Sequence, residues 1–569
     1  MPDSSFTDEQ INEKLSKFDH VVVLMMENRS FDNLLGNLYS PTDFQSPPFS
    51  PNQQFAGLKF GGPYYNIIPE DVTDEHGGEK IFVSRAKDYF QPYPDPGETY
   101  AQINTQLFNC FNPPSNENKG DADTVEPPYN LPPPGNLLAP LMTGFIKDYL
   151  SILNAYEPKK GCIGFLWKII YKVLHVNRKG FKLSIKYDGY SVIMQAFEND
   201  QVPVLTTLAK EFAVFDNWFC DVPSQTFPNR AFWHAGYSFG NVNNSPLKTW
   251  FLDTNGPTLF NRMQEKGLTW KVYVDSIASL TSVIHCCQLK DYFLTNFTHF
   301  TQFLNDADRG KLPAYSFIEP RIYTPGNDQH PLNYDSLDPI GNPGLEGSVL
   351  LGEKLIWDIY YAIKNSKGDA NGNGNTWKNT LLIITHDEHG GCYDHVAPGI
   401  APEPGIKIEN PNNQDFAFDR LGVRVPMVMI SAYVKPNTIV NSSLRHTSFL
   451  RTMCKKWGLN YLTERDRKAD DFSEVINLSN PRELKDWPDI PEPIIKDEHL
   501  NHDFSNVLLN DLESVLLKAA CHYYNGNTKE AEKIKTAGEA MQFLHSASKL
   551  PKALPGAKAE DLTHKWKLD

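Results

Sequence analysis

Apolar residues in this chain gather in short, dense runs. "VVVLMM" (21–26) holds six in succession and passes directly into Glu27-Asn28-Arg29. Six residues cannot span a bilayer, and the run lacks the spacing of an amphipathic helix. It has the make-up of a strand buried on both faces of a parallel sheet. Three further stretches resemble it: "FAVFDNWFC" (212–220), "NTLLIITHDEHGG" (379–391) and "VRVPMVMISAYV" (423–434), where Pro426 marks an edge or irregularity. Helical spacing falls between them, over 202–213 and over 345–366. The alternation predicts an α/β fold with a central, mostly parallel sheet and helices on both faces.

Two regions break the pattern. Residues 40–136 are rich in Pro, Gly, Asn and Asp with little periodicity, which predicts a long, ordered insertion over the site. Beyond residue 486 the strand signals stop, and apolar positions 508, 509, 512, 515, 516, 519 and 520 mark an amphipathic helix. The expected organisation is one domain over 18–485 and a helical C-terminal extension over 486–569.

Composition narrows the function classes. A formal net charge of -15 over 569 residues argues against nucleic acid as a partner, since phosphate binding needs basic surface. No apolar run approaches the length of a membrane span, and the polar N-terminus has no signal-peptide core. The eight cysteines show neither metal-site spacing nor the density of a disulfide scaffold. The expectation is a reduced protein, cytoplasmic or peripheral to a membrane.

Ligands of such sheets bind beyond the carboxyl ends of the strands. Glu27 and Asn28 therefore either cap the helix that follows or line a site. "THDEHGGCYDH" (385–395) is the densest polar cluster of the chain. Asp387 and Glu388 follow a buried strand, His389 and His395 flank them, and Gly390-Gly391 allow close backbone approach. A buried carboxylate pair repels itself unless a cation or a proton lies between. Glu27, Asn28, Asp387 and Glu388 together offer hard oxygen ligands, suited to Ca²⁺, Mg²⁺ or Mn²⁺ and compatible with Zn²⁺. In "CDVPSQTFPNRAFWHAG" (220–236), Pro228 places Thr226 at a helix N-terminus, as a nucleophile or as an ordinary cap.

Four ordered motifs, "MMENRSFDNLLG", "FCDVPSQTFPNRAFWHAG", "IEPR" with "NDQHP", and "THDEHGGCYDHV", resemble the phosphoesterase family of bacterial phospholipases C, Francisella-type acid phosphatase and plant non-specific phospholipases C. With supporting matches the resemblance covers most of residues 18–475. It implies an alkaline-phosphatase-like fold and a divalent metal ion held by Glu27, Asn28, Thr226, Asp387 and Glu388. It also implies Thr226 as nucleophile through a phosphothreonine intermediate, with His330, His285 and His389 as catalytic histidines; "SVIHCC" around His285 is not a clear match. Asn229, Arg230 and His395 are implied in substrate binding, while Arg445 stands at a position that is usually acidic. The implied function is hydrolysis of phospholipids to diacylglycerol and a phosphorylated head group. The alternatives are a broad acid phosphatase acting on phosphomonoesters and a catalytically silent lipid- or phosphate-binding protein.

Residues 158–187 hold eight Lys or Arg and no acidic residue, with apolar 165, 166, 169, 170, 173 and 174 at helical spacing. This is either an interfacial helix on anionic lipid, facing it with Lys168, Lys172, Arg178 and Lys179, or a core-packed helix with a basic solvated face.

Overall fold

The six-residue apolar run becomes the middle of the molecule. In the computed structural model, eight strands form one sheet: β1 (His20–Met26), β2 (Ala213–Phe215), β3 (Trp270–Val274), β4 (Phe297–His299), β5 (Tyr315–Glu319), β6 (Thr380–His386), β7 (Met427–Ile430) and β8 (Thr438–Val440). Their spatial order is β8-β2-β7-β6-β1-β5-β3-β4. Strand β7 runs against its neighbours β6 and β2, and every other pairing in this sheet is parallel. The structure describes residues 6–49, 53–72, 74–116, 131–133, 140–155, 186–245, 249–250, 256–275, 279–322, 326–332, 349–406, 414–495 and scattered positions from 509 to 543.

Side chains along a strand point alternately to opposite faces. All six positions from Val21 to Met26 are buried, as are all seven of β6, so both faces of the sheet centre are covered. The expected mostly parallel α/β sheet is observed. Short strands β3, β4, β5 and β8 carry polar residues or span only three positions, and apolar runs do not mark them.

Five helices matter for the site: α1 (Tyr100–Phe108), α2 (Pro203–Glu211), α3 (Thr226–Ala235), α4 (Val349–Lys364) and α5 (His446–Trp457). Helix α2 packs on α4, and α3 packs on α5. Helix α2 has no side-chain cap of its own. Glu353 of α4 accepts from the backbone N–H groups of Val204 (2.5 Å) and Leu205 (3.1 Å) in its place.

The 40–136 insertion contributes α1, opened by a capping box in which Thr99 and Gln102 exchange hydrogen bonds with each other's backbone. All nine residues of α1 are buried. A helix enclosed on every side shows no polar face, which accounts for its missing periodicity. The main core also runs past residue 485, since Trp487 and Ile490 belong to it. Further along, Leu509, Val515, Leu517, Ala531 and Ala540 join a second cluster with Tyr100 and Phe227. The basic stretch with Lys168, Lys172, Arg178 and Lys179 lies outside the described residues. Among those described, no helix is long and apolar enough to cross a membrane.

One ion network clamps the loops after β1 and β6. The buried guanidinium of Arg424 meets Asp32 (2.9 Å) and Asp394 (3.0 Å), and donates to the carbonyl oxygen of Asp216 (2.6 Å) at the end of β2. Replacing Arg424 with Met strands two buried carboxylates. It is expected to cost about 3–5 kcal/mol, read as a lower urea midpoint; an unchanged midpoint would show that the clamp carries no stability.

Candidate active site

Register decides which side chains meet. Met26 of β1 lies beside His386 of β6 in a parallel pair, so the next residues, Glu27 and Asp387, leave the sheet side by side at the same end. The Asp387 N–H donates to the Met26 carbonyl (3.2 Å), extending the ladder by one step. Both carboxylates are fully buried.

Arg230 of α3 reconciles them. Its Nη2 pairs with Glu27 Oε1, its Nε lies 3.3 Å from Asp387 Oδ2, and Nη2 also donates to the Met25 carbonyl (3.0 Å). Residues four apart share a helix face. One turn before Arg230 stands Thr226, the first residue of α3, whose hydroxyl donates to Glu27 Oε2 at 3.1 Å. A single carboxylate thus holds two successive turns of α3. Asn229 braces the loop ahead of α3: its Oδ1 accepts from Val222 N–H (3.0 Å), and its Nδ2 donates to the carbonyls of Val222, Ser224 and Gln225.

The carboxylates respond differently to this burial. Burial pushes Glu27 well above its ordinary value, against the pull of Arg230. Glu388 is also pushed well up, by burial and then by the charge of Asp387. Asp387 is buried as well, but Arg230 together with the N–H groups of Asn28 (3.2 Å) and Glu388 (2.8 Å) holds it below the usual carboxylate range.

Asn28 sits in the left-handed region at φ 51°, which turns its side chain across the site. One amide hydrogen goes to Glu98 Oε2 and the other to His330 Nε2 (2.8 Å). His330 Nδ1 donates to the Pro331 carbonyl (2.7 Å), leaving Nε2 as the acceptor, and burial lowers its pKa to about 4. Gly390 and Gly391 adopt φ of 58° and 65°. A Cβ on Gly390 would collide with the Asn28 backbone, and one on Gly391 with the carbonyl of Gly97. The close backbone approach these glycines allow lets three loops close on one another.

At this site the buried Asn28 Oδ1 and Glu388 Oε1 each have no hydrogen-bond partner among the described residues. A buried acceptor without a donor is costly. Both oxygens lie beside clustered carboxylates, and oxygens of this kind are the donors that hard divalent cations take. The Glu27, Asp387 and Glu388 carboxylates are more widely spread than Asp32, Asp394 and His395, the three acidic or histidine side chains that, among the described residues, bring ligand atoms within 4.8 Å of one another. There the guanidinium of Arg424 already supplies the positive charge, and His395 Nδ1 lies 2.7 Å from Asp32 Oδ2.

A model of the Phosphoesterase family matches residues 18–460. The chain belongs to the phosphoesterase family. Among its relatives is Non-specific phospholipase C3 of Arabidopsis thaliana, 29% identical over 93% of this chain and 86% of that one. Non-specific phospholipase C1 of the same plant is 30% identical, covering 83% and 73%. A bacterial relative, Non-hemolytic phospholipase C of Burkholderia pseudomallei, is 24% identical over 52% of this chain and 47% of its own. This phosphoesterase is accordingly a hydrolase of phosphoric esters.

In the phosphoesterase, contacts gather Glu27, Asn28, Thr226, Arg230, Asp387, Glu388 and His330. His389 stands at the edge, with Nδ1 3.3 Å from Glu388 Oε2 and Nε2 donating to Gln106 Oε1 (2.8 Å). His285 is elsewhere: it packs against His234 and Phe239 in the second apolar cluster, and burial lowers its pKa to about 3. His395 belongs to the Arg424 clamp. Arg445 caps α5 and donates to Thr447 Oγ1 (3.0 Å). Sequence reasoning missed Glu98, Gln225, Gln106 and Asp148. A capping box over 99–102 signals α1, but nothing in "DPGET" distinguishes Glu98 from a loop carboxylate.

Gln106, which orients His389, is itself held by Asp148 (2.8 Å), a buried carboxyl that burial pushes up to about 7. The unfolded chain releases that proton near pH 4, as a free aspartate does (about 3.9). Stability from Asp148 is therefore fully present below about pH 4 and is lost as pH rises through about 7. Asp148→Asn keeps the acceptor and removes the titration. Its urea midpoint should exceed that of the wild type at pH 8, with the gap closing toward pH 4; parallel pH curves would refute this.

Proposed function

We propose that the chain is a metal-dependent phosphoesterase of phospholipase C type, cleaving phospholipids to diacylglycerol and a phosphorylated head group with Thr226 as nucleophile. The observation that carries the reading is the Thr226 hydroxyl at the head of α3, donating to Glu27 Oε2 beside Asn28, Asp387 and Glu388. The names of the plant and bacterial relatives support the substrate class.

In the first step Thr226 Oγ1 bonds to phosphorus and the bond from phosphorus to the glycerol oxygen breaks. The hydroxyl proton is in effect passed to the released alcohol, and the head-group phosphoryl remains on Thr226. In the second step water attacks phosphorus, releases the phosphorylated head group and returns the hydroxyl. Glu27 Oε2 orients the attacking oxygen, and Arg230 keeps Glu27 and Asp387 in place through both steps. A divalent cation held by oxygens of Glu27, Asn28, Asp387 and Glu388 supplies charge stabilisation and a more acidic hydroxyl when bound.

Two experiments test this. Thr226→Val preserves the shape and removes the hydroxyl, so turnover of p-nitrophenyl phosphorylcholine should fall by several powers of ten, roughly the scale of other nucleophile losses. Acid quench of the wild type during turnover of that substrate should trap the phosphorylcholine group on Thr226. A variant less stable by about 1 kcal/mol that turns over normally would make the Thr226 hydroxyl a structural tie to Glu27 and place the nucleophile elsewhere. Faster turnover of p-nitrophenyl phosphate than of the choline diester would instead support a phosphatase.

Glu27→Gln and Asp387→Asn test the metal. Each should lose both bound divalent metal, measured by elemental mass spectrometry, and activity, while far-UV circular dichroism stays unchanged. Full activity of a metal-stripped wild type would sink the metal requirement.

A further inference from the structure

Glu98 enters the site from the loop before α1, far in sequence from the strand ends that supply the other carboxylates. It is buried, and both of its oxygens are engaged. Oε2 accepts from Asn28 Nδ2, and Oε1 accepts from Gln225 Nε2 at 2.9 Å. Asn28 follows Glu27 in the chain, and Gln225 is the residue before Thr226. One carboxylate from outside the sheet therefore touches the immediate neighbours of both partners in the Thr226–Glu27 hydrogen bond.

The Asn28 amide is oriented by what its nitrogen finds. With both of its hydrogens taken by Glu98 and His330, its Oδ1 faces away from them and has no donor of its own among the described residues. Gln225 is fixed from both ends, since its Oε1 accepts from Asn244 N–H (3.0 Å) while its Nε2 reaches Glu98. Its amide cannot turn over without losing both contacts.

We propose that Glu98 is a positioning residue of the site: its carboxylate sets the Asn28 amide so that Oδ1 is presented to the cation, and it pins Gln225 ahead of Thr226. The inference rests on the metal-dependent reading above. Outer partners that orient ligands commonly contribute about 10–100-fold in metal affinity.

The test titrates Mg²⁺, Mn²⁺, Ca²⁺ and Zn²⁺ separately into the chelator-stripped full chain by calorimetry. Glu98→Gln places an N–H against one of the two amide donors and should weaken the tightest of these ions by about tenfold or more. Glu98→Asp keeps the charge but is one methylene too short to reach both amides, and a similar loss is expected. Wild-type affinity in Glu98→Asp would overturn positioning in favour of charge alone. The double variant Glu98→Gln with Gln225→Glu exchanges the acceptor and the donor at unchanged net charge, restores both hydrogen bonds, and should recover affinity to within about threefold of the wild type. A double variant no better than Glu98→Gln would count against the inference, as would a folded Glu98→Gln that binds like the wild type. If the wild type itself binds none of the four ions, the metal reading fails and this inference falls with it; binding by the wild type and equally by every Glu98 variant would overturn this inference alone.

Discussion

The guanidinium of Arg230 makes the rest of the site possible. Parallel pairing of β1 with β6 delivers Glu27 and Asp387 side by side in the buried interior, an arrangement two bare carboxylates would not tolerate. Arg230 lies against both, and its place on α3 carries a second consequence. Because Thr226 is one turn earlier on the same face, docking Arg230 on one oxygen of Glu27 brings the threonine hydroxyl to the other. The neutralising charge and the candidate nucleophile are thus positioned by one helix and one carboxylate.

Around this centre the loops are held by close backbone approach and by a second buried ion network. The positive-φ glycines after β6 let that loop lie on the Asn28 backbone and on the loop carrying Glu98. Arg424 ties the same two strand ends together from the side, through Asp32 and Asp394. The sheet fixes where the carboxylates emerge, and these contacts fix the direction in which the remaining side chains point.

Burial also sets the chemistry of the histidines. His330 and His389 are both pushed below neutrality by burial, so near pH 7 each is a neutral imidazole with a defined donor and acceptor nitrogen. His330 serves Asn28 as an acceptor. In this arrangement it acts as an oriented dipole, and the positive charge at the centre comes from Arg230.

The sequence by itself determined the buried strands and the chemistry at their tips. Short, dense apolar runs such as 21–26 and 381–384 are satisfied inside a covered parallel sheet, and the polar clusters that follow them leave it at its carboxyl end. The motifs around Glu27, Thr226 and Asp387 were legible for the same reason, since each is local. Tertiary structure decided the partnerships. Arg230 reads locally as a residue for substrate and becomes the counter-ion of two carboxylates, because strand register and helix phase act together. His285 and His395 look alike in a list of histidines, but one is enclosed in an apolar cluster and the other belongs to a clamp. Helix α1 gave no periodic signal because it is buried all round, and Glu98 gave none because a carboxylate in a loop acquires its role only from the amides that fold onto it. Such contacts join residues far apart in the chain, and no spacing along the chain records them.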